Sequence, residues 1–461
     1  MMLETILQEL PNALLWGVLG ALIFGLLGLV SGTDETATIT PITLLVVLLG
    51  VSPVGIFSFF IAAVVAKHMT HAVPTTLLGI PGDTMAIPLM READLLRRLG
   101  VPHIALRKAI SAAFISAMIA IPVAVIVAAV LAPVADVIEE VAPWAFILIT
   151  IVIAYLTPAR FGGVMAMIPF VVLILGLREF TAAHDTSLTI SYFLGIAVGP
   201  LIVSLLGVLT PHGREEAHKD RRETYHLSTP SVKEKRYFPN PLKVLDRKQV
   251  KWTASTALVS GGVFVFSPVA MTVMMGEAVR KLPKNAYHRL TSMMAVKNGT
   301  TESTYLGETL VPLIAFGLPL SPMAVGPAQP LFNAPPRFTV DAETGEVNNL
   351  HTFMNSWEFL VFGLMGVILA GVLVYPLVMR YAPVAAKFIM RRVSQEAIIA
   401  AFVALIVMIS LWEGGVLGLL VVTTVGTVGG LLTKFLRIHA GVQFMGYYVA
   451  VLTVPALLDL F

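Results

Sequence analysis

Cysteine is absent from the 461 residues, which excludes disulfides and thiolate metal sites. Charge is scarce as well. Asp, Glu, Lys and Arg together make up 13% of the chain, against roughly 25% in soluble domains. A positive leader is missing: the first ten residues, MMLETILQEL, hold two glutamates and no lysine or arginine, unlike the basic start of a secretory signal. The apolar run 13–30 therefore reads as a retained span. The net charge of +3 sits in loops and gives no sign of nucleic acid as a partner. What the chain has in excess is apolar residues, 57% of the total, with a mean hydropathy of +0.85. That composition belongs to an integral membrane protein of the all-α class.

A helix crosses the hydrocarbon core with about 20 apolar residues. Candidate spans fall at 13–31, 38–50, 54–66, 109–132, 144–157, 163–177, 188–210, 253–275, 357–379, 396–412, 414–433 and 441–460. Several are short, so half-helices or broken helices are expected among some 10–12 transmembrane segments. Lysine and arginine orient the chain. Eleven of them lie in 211–251, five in 91–108 and four in 380–392, and these segments are expected on the cytoplasmic side. The turn 133–143 carries Asp136, Glu139 and Glu140 and no lysine or arginine, which suits the other face. The basic stretch 277–297 fits neither side by simple counting and reads as an interfacial helix or a miscounted span. The segment 211–251 divides the chain into a first transmembrane repeat, 1–210, a basic cytoplasmic linker and a second repeat, 252–461. Its histidines, His212, His218 and His226, have no i, i+4 pair, so no metal centre is expected there.

The two halves share punctuation. LVSGTDETATITP (29–41) is followed by GIPGDTMAIPL (79–89), and LVSGGVFVFSP (258–268) by GLPLSPMAVGP (317–327). Paired Pro/Gly interruptions in corresponding places point to a transporter binding site near mid-membrane. Non-helical backbone survives at that depth only where protein buries it or water reaches it. Pro81 fixes φ and donates no hydrogen bond. Gly82 is free to take a positive φ and admit a ligand to the backbone. Asp83 suits either a helix cap or a cation ligand.

Three groups of polar residues fall within apolar sequence. Asp34 and Glu35, with Thr33, Thr36 and Thr38, offer oxygens to a hard cation or a proton, the alternative being a solvated turn. Asn298, Thr300, Thr301, Glu302, Ser303 and Thr304 form a second oxygen-rich set, the alternative being an exposed loop or a cap. Lys67, His68 and His71 in KHMTH could neutralise a carboxylate or relay a proton, the alternative being an interfacial anchor with Lys67 snorkelling. The expected substrate contacts are Lys67, His71, Thr75, Gly79, Pro81, Gly82 and Asp83 in the first half. Gly317, Pro319 and Ser321 complete them in the second. The expected cation-coupling residues are Asp34, Glu35, Thr36, Asn298, Thr301 and Glu302.

The breaks SGTDETATITP, LLGIPGDTMAIPLMREADLLRRLG and NGTTESTYLGETLVPLIAFGLPLSP resemble those of the large membrane subunit of the tripartite tricarboxylate transporters, over residues 13–455. The resemblance implies inverted repeats, an elevator or rocking motion and cation-coupled import of small carboxylates. It also implies a periplasmic binding protein and a small membrane subunit as partners. In that family the place of KHMTH tends to be small and Gly-rich, and a small or hydroxylated residue usually stands at Asp83. Also expected are a small organic anion as substrate, Na⁺ or H⁺ as coupling ion, no cofactor, a homodimer, and residence in the lipid bilayer of a bacterial cytoplasmic (inner) membrane. The alternatives are a passive anion channel and an intramembrane hydrolase. The chain has IPGD but no YD, and no HExxH, so an enzyme has little support.

Overall fold

The computed structural model describes residues 2–31, 33–134, 144, 146–148, 150–155, 157–184, 186, 188–211, 237–264, 266–280, 282–283, 285–340, 347–392, 395–438 and 440–455. Most of the expected linker, 212–236 with its three histidines, lies outside these residues, as does the acidic turn at 135–143. Backbone groups in hydrocarbon must be paired within their own segment, and the apolar runs accordingly close into helices. These are α1 (Met2–Leu27), α2 (Glu35–Leu48), α3 (Pro53–Val73), α4 (Met90–Arg98), α5 (Pro102–Leu131), α6 (Phe161–Ala182) and α7 (Ile190–Leu209). In the second half come α8 (Arg247–Ser260), α9 (Pro268–Arg280), α10 (Ala286–Phe316), α11 (Ser356–Arg392), α12 (Gln395–Leu436) and α13 (Ala440–Tyr448). Among the described residues, six helices are long and apolar enough to cross a membrane. A two-residue antiparallel ladder, Thr339–Val340 with Val347–Asn348, follows the second Pro/Gly loop.

Local chemistry sets the boundaries. Ser52 caps α3 by accepting from the Gly55 N–H at 3.2 Å, with Pro53 just inside the start. Asp246 and Gln249 close a capping box on α8. α12 breaks at Gly414 and Gly415, whose backbone is not helical. A Cβ on Gly418 would lie 2.2 Å from the Ser410 carbonyl oxygen, so the chain turns back on itself there. Each arm holds about 20 residues and measures about 30 Å, and both expected spans, 396–412 and 414–433, are present. At this turn Glu413 accepts from the N–H groups of Thr189, Ile190 and Ser191 at 2.8, 2.7 and 2.6 Å. It thereby satisfies the free donors at the start of α7.

The helices form two bundles, each drawn from both halves of the chain. α1, α3, α5, α8, α9, α10 and α11 pack together, and α2, α6, α7, α12 and α13 form the second group. α7 and α12 meet through glycines spaced four apart. A Cβ on Gly199 would sit 2.7 Å from the Gly430 nitrogen, and one on Gly430 would sit 2.2 Å from the Gly199 oxygen. Small residues at this spacing let membrane helices approach backbone to backbone. The bundles touch where α2 meets α3, and where one-turn helices at Pro322–Val325 and Gln329–Phe332 reach α13 and α2.

Three expectations change. The span 253–275 is not one helix: α8 ends at Ser260, α9 starts at Pro268, and the described residues between them are not helical. Of the two readings of 277–297, the miscounted span holds: the stretch is not one helix but the end of α9 and the start of α10, and the described residues between them are not helical. The oxygen-rich stretch 298–304 is neither loop nor cap, because it lies in the middle of α10, whose residues from Thr291 to Phe316 are all buried.

Candidate functional site

The site is built around α3, a helix buried from Val54 to Val73. Lys67 and His71 share a face at i, i+4, and His68 lies one residue round. All three side chains are buried, so Lys67 does not snorkel to an interface. Its Nζ donates to the Thr33 carbonyl oxygen at 2.9 Å and to Asp83 Oδ2 at 3.2 Å, and lies 3.9 Å from Glu35 Oε1. His71 Nδ1 donates to the Asp83 carboxylate at 2.9 Å, and its Nε2 faces Asn298 Oδ1 at 3.2 Å. The Asn298 amide is oriented by its own donation to the Ala109 carbonyl at 3.1 Å.

His68 stands between two carboxylates. Nε2 is 2.6 Å from Glu35 Oε1 and Nδ1 is 2.9 Å from Glu302 Oε2. One extra proton shared among the three satisfies both contacts, on the imidazole or on a carboxylate. Tyr305 meets the His68 ring edge-on, with centroids 4.8 Å apart. Glu35 Oε2, Glu302 Oε1 and the Tyr305 hydroxyl are buried without a hydrogen-bond partner among the described residues. Buried polar atoms left unpaired call for a functional explanation. Two acids and the imidazole come from α2, α10 and α3, so the row crosses the contact between the bundles.

The first loop is held against this cluster. α3 runs on through a wider turn, Pro74–Leu78, and Gly79 ends it with φ at 74°. Arg97 of α4 donates to the Leu78 carbonyl at 3.0 Å, and its guanidinium fills the space a Gly79 side chain would need. Arg97 also hydrogen-bonds Asp94, which holds that surface carboxyl below its ordinary range. Thr75 Oγ donates to the His71 carbonyl at 2.7 Å and accepts from the Gly82 N–H at 3.2 Å. Ser31 Oγ donates to the Pro81 carbonyl at 2.6 Å. Asp83 accepts from the Ala86 N–H at 3.0 Å, capping the tight turn Thr84–Leu89. It is therefore both a cap and an ion partner. Gly82 does not carry a positive φ; that conformation is at Gly79. Gly82 matters for closeness, since a Cβ there would lie 2.5 Å from the His71 carbonyl oxygen.

The second loop has the same local construction. Gly317 ends α10 with φ at 65°, and Ser321 accepts from the Ala324 N–H at 3.1 Å. Both loops read Gly-x-Pro-x-cap-x-Met-Ala, at 79–86 and 317–324. Ser321 donates to the Glu308 carbonyl, and Glu308 Oε2 accepts from the Met323 N–H at 3.3 Å. The Gly317 carbonyl accepts from Asn349 at 2.8 Å.

Of the residues expected at the site, Lys67, His71, Asp83, Glu35, Asn298 and Glu302 meet in one cluster, with Thr75, Pro81 and Gly82 fixing the loop beside it. Asp34 belongs to its edge. It caps α2 through the Thr36 and Ala37 N–H groups at 3.0 and 3.4 Å, and its other oxygen accepts from Thr84 at 3.4 Å. Thr301 does not join: its hydroxyl bonds Thr272 of α9 at 2.8 Å and the Lys297 carbonyl at 3.0 Å. Thr36 reaches the cluster only through its N–H bond to Asp34, and Gly317, Pro319 and Ser321 make no hydrogen bond or ion pair to it among the described residues. Sequence reasoning missed Glu308 and a buried pair, Lys297 to Glu92 at 2.6 Å, with Lys297 also donating to the Pro88 carbonyl at 2.9 Å. Charged residues at 297, 302 and 308 within an apolar-ended stretch were the available signal.

One oxygen or nitrogen each from Glu35, His71 and Asp83 lie within 4.8 Å of one another, a set that could hold a metal ion. The Lys67 ammonium is in contact with both of those carboxylates and already supplies the positive charge. The donors do not fit a metal while Lys67 stands there.

Buried charges within membrane helices are costly and mark a functional site by default, and here they join two helical bundles beside a Pro/Gly break. The family model of the tripartite tricarboxylate transporter TctA family matches residues 14–440, and the chain belongs to that family. It is thus a transporter of the tricarboxylate class and an integral membrane protein, not an enzyme by family. No curated protein and no solved structure gives a match.

Proposed function

We propose that the chain is the permease of a tripartite system and imports small carboxylates by secondary active transport coupled to Na⁺ or H⁺. The observation that carries this is the Glu35–His68–Glu302 row, with Lys67, His71 and Asp83 beside it, at the contact between the two bundles. Relative motion of α2 and α3 must break these pairs. Leaving a buried charge unpaired costs about 3–5 kcal/mol, so such motion needs the charges to be neutralised by a proton, a cation or a substrate carboxylate. That is a physical basis for coupling. The first loop supplies one side of the substrate site, through Lys67, His71 and the backbone at Gly82. The second loop supplies the other, by its matching construction. A pseudo-symmetric inverted repeat, a homodimer, a small membrane subunit, a periplasmic binding protein and a bacterial cytoplasmic membrane belong to the same reading.

The test is uptake of labelled mono-, di- and tricarboxylates into proteoliposomes under imposed Na⁺ or H⁺ gradients, with and without partner subunits. Saturable accumulation against a substrate gradient is expected. Conductance without coupling to either ion would establish the passive channel instead.

A further inference from the structure

We infer that Lys67 is a tethered cation: its ammonium takes the place of an alkali ion between Asp83, Glu35 and the Thr33 carbonyl, so this chain handles its anion without Na⁺. The functional consequence rests on the transport reading above. The cation site itself can be tested without transport.

The Lys67 Nζ is surrounded by oxygens from three separate parts of the chain. The Thr33 carbonyl at 2.9 Å comes from the break between α1 and α2. Asp83 Oδ2 at 3.2 Å comes from the first loop, and Glu35 Oε1 at 3.9 Å from the first turn of α2. A carbonyl freed at a helix break, joined by carboxylates, is the shell that transporters offer to a hard coupling cation. Here a nitrogen sits inside it. The lysine side chain is fully buried, so it has no solvent to return to. Its neighbours of like sign are His68 and His71, each facing its own carboxylate, Glu35 or Glu302 for the first and Asp83 for the second. Asp34 lies at the edge, occupied with the Thr36 and Ala37 N–H groups. A free cation between Asp83 and Glu35 would lie against the ammonium and be repelled at short range in a medium of low dielectric.

Removing the amine while keeping the oxygens should therefore create an alkali site. The experiment compares the parent, Lys67→Ala and Lys67→Gln, purified in detergent, by thermal midpoint in NaCl against choline chloride at equal ionic strength. It also compares substrate counterflow with and without Na⁺. The parent is expected to show no Na⁺-specific shift and less than about a twofold response of counterflow to Na⁺. Lys67→Ala should gain a saturable, Na⁺-specific rise in midpoint that disappears when Glu35→Gln is added. Its counterflow should depend on Na⁺ by about tenfold. A saturable Na⁺ requirement in the parent overturns the inference, as does a folded Lys67→Ala that gains no Na⁺ response. Should both variants fail to fold, the parent's own Na⁺ response decides. Absence of any carboxylate flux would defeat the transport reading, while the midpoint series would still judge the cation site.

Discussion

Gly82→Ala is the smallest change that tests the architecture of the first loop. The added Cβ would lie 2.5 Å from the His71 carbonyl oxygen and 2.8 Å from its Cα and Cβ. These atoms belong to the interior of a helix buried on every side, so α3 does not yield and the loop must. Restoring ordinary contact needs a retreat of about 1 Å, and inserted volume in a packed interior costs about 1–3 kcal/mol. The Gly82 N–H bond to Thr75, at 3.2 Å, does not survive such a shift. Asp83 is carried away from His71 and Lys67, now at 2.9 and 3.2 Å. Misplacing a binding group by about 1 Å can cost on the order of 100-fold in rate. Gly82→Ala should therefore insert and purify, with uptake reduced by about 10- to 100-fold, and Gly82→Val should abolish it. Gly162, with open space around a built Cβ, is the control: Gly162→Ala should stay within about 0.5 kcal/mol of the parent in stability and transport normally. The assay is uptake per reconstituted protein, with the thermal midpoint measured in parallel. Parent-like uptake by Gly82→Ala would refute the claim that the loop's distance from α3 is functional.

Lys297→Met strips the partner from buried Glu92 and should destabilise by about 3–5 kcal/mol, with most of the loss recovered in Lys297→Met/Glu92→Gln; denaturant midpoints of the four proteins check the cycle, and additive losses would deny the pairing. Asp83→Asn keeps an oxygen for the Ala86 N–H but gives up its charge, so the protein should fold while uptake falls by roughly tenfold or more; unchanged uptake would leave Asp83 as a cap alone. Glu35→Gln should let substrate exchange continue while weakening its dependence on an imposed ion gradient, whereas Asp34→Asn should keep that dependence, because Asp34 works as a cap. Ion flux and substrate flux measured together check this pair, and equal behaviour of the two variants would contradict the separate roles.

The membrane class and the first loop were legible because both depend on residue type alone. Apolar excess needs no partner to be recognised, and Pro81 and Gly82 break a helix wherever they occur. Lys67, His68 and His71 stood out because charge within an apolar run is costly. The second oxygen-rich set misled in an instructive way. Taken as one set, its side chains were all offered to a single ion. On α10 successive residues point about 100° apart, so Glu302 faces His68 while neighbouring Thr301 faces Thr272. α10 itself was hidden because protein covers it, not lipid. Its polar residues are satisfied by other helices, and hydropathy measures suitability for lipid only. Pairs such as Glu35 with His68 or Lys297 with Glu92 join segments far apart in the chain, and no local pattern encodes them.

α2 gives these separate features a common mechanical meaning. Its entry touches the first loop, through Ser31 to the Pro81 carbonyl and Thr84 to Asp34. One and a half turns further on, Thr40 donates toward the Gly326 and Pro327 carbonyls beyond the second loop, at 3.3 and 3.5 Å. A rise of about 1.5 Å per residue places these two contacts only about 9 Å apart along the helix. Both loops are thus referenced to one short helix that packs with the second bundle, while Glu35 at its start is clamped to α3 in the first. Neutral hydroxyl-to-carbonyl bonds at one contact can exchange cheaply; the ionic clamp at the other cannot. In the transport reading proposed above, displacement of α2 between the bundles is controlled at Glu35, which puts the charge-sensitive step beside the first loop and leaves the second to supply shape.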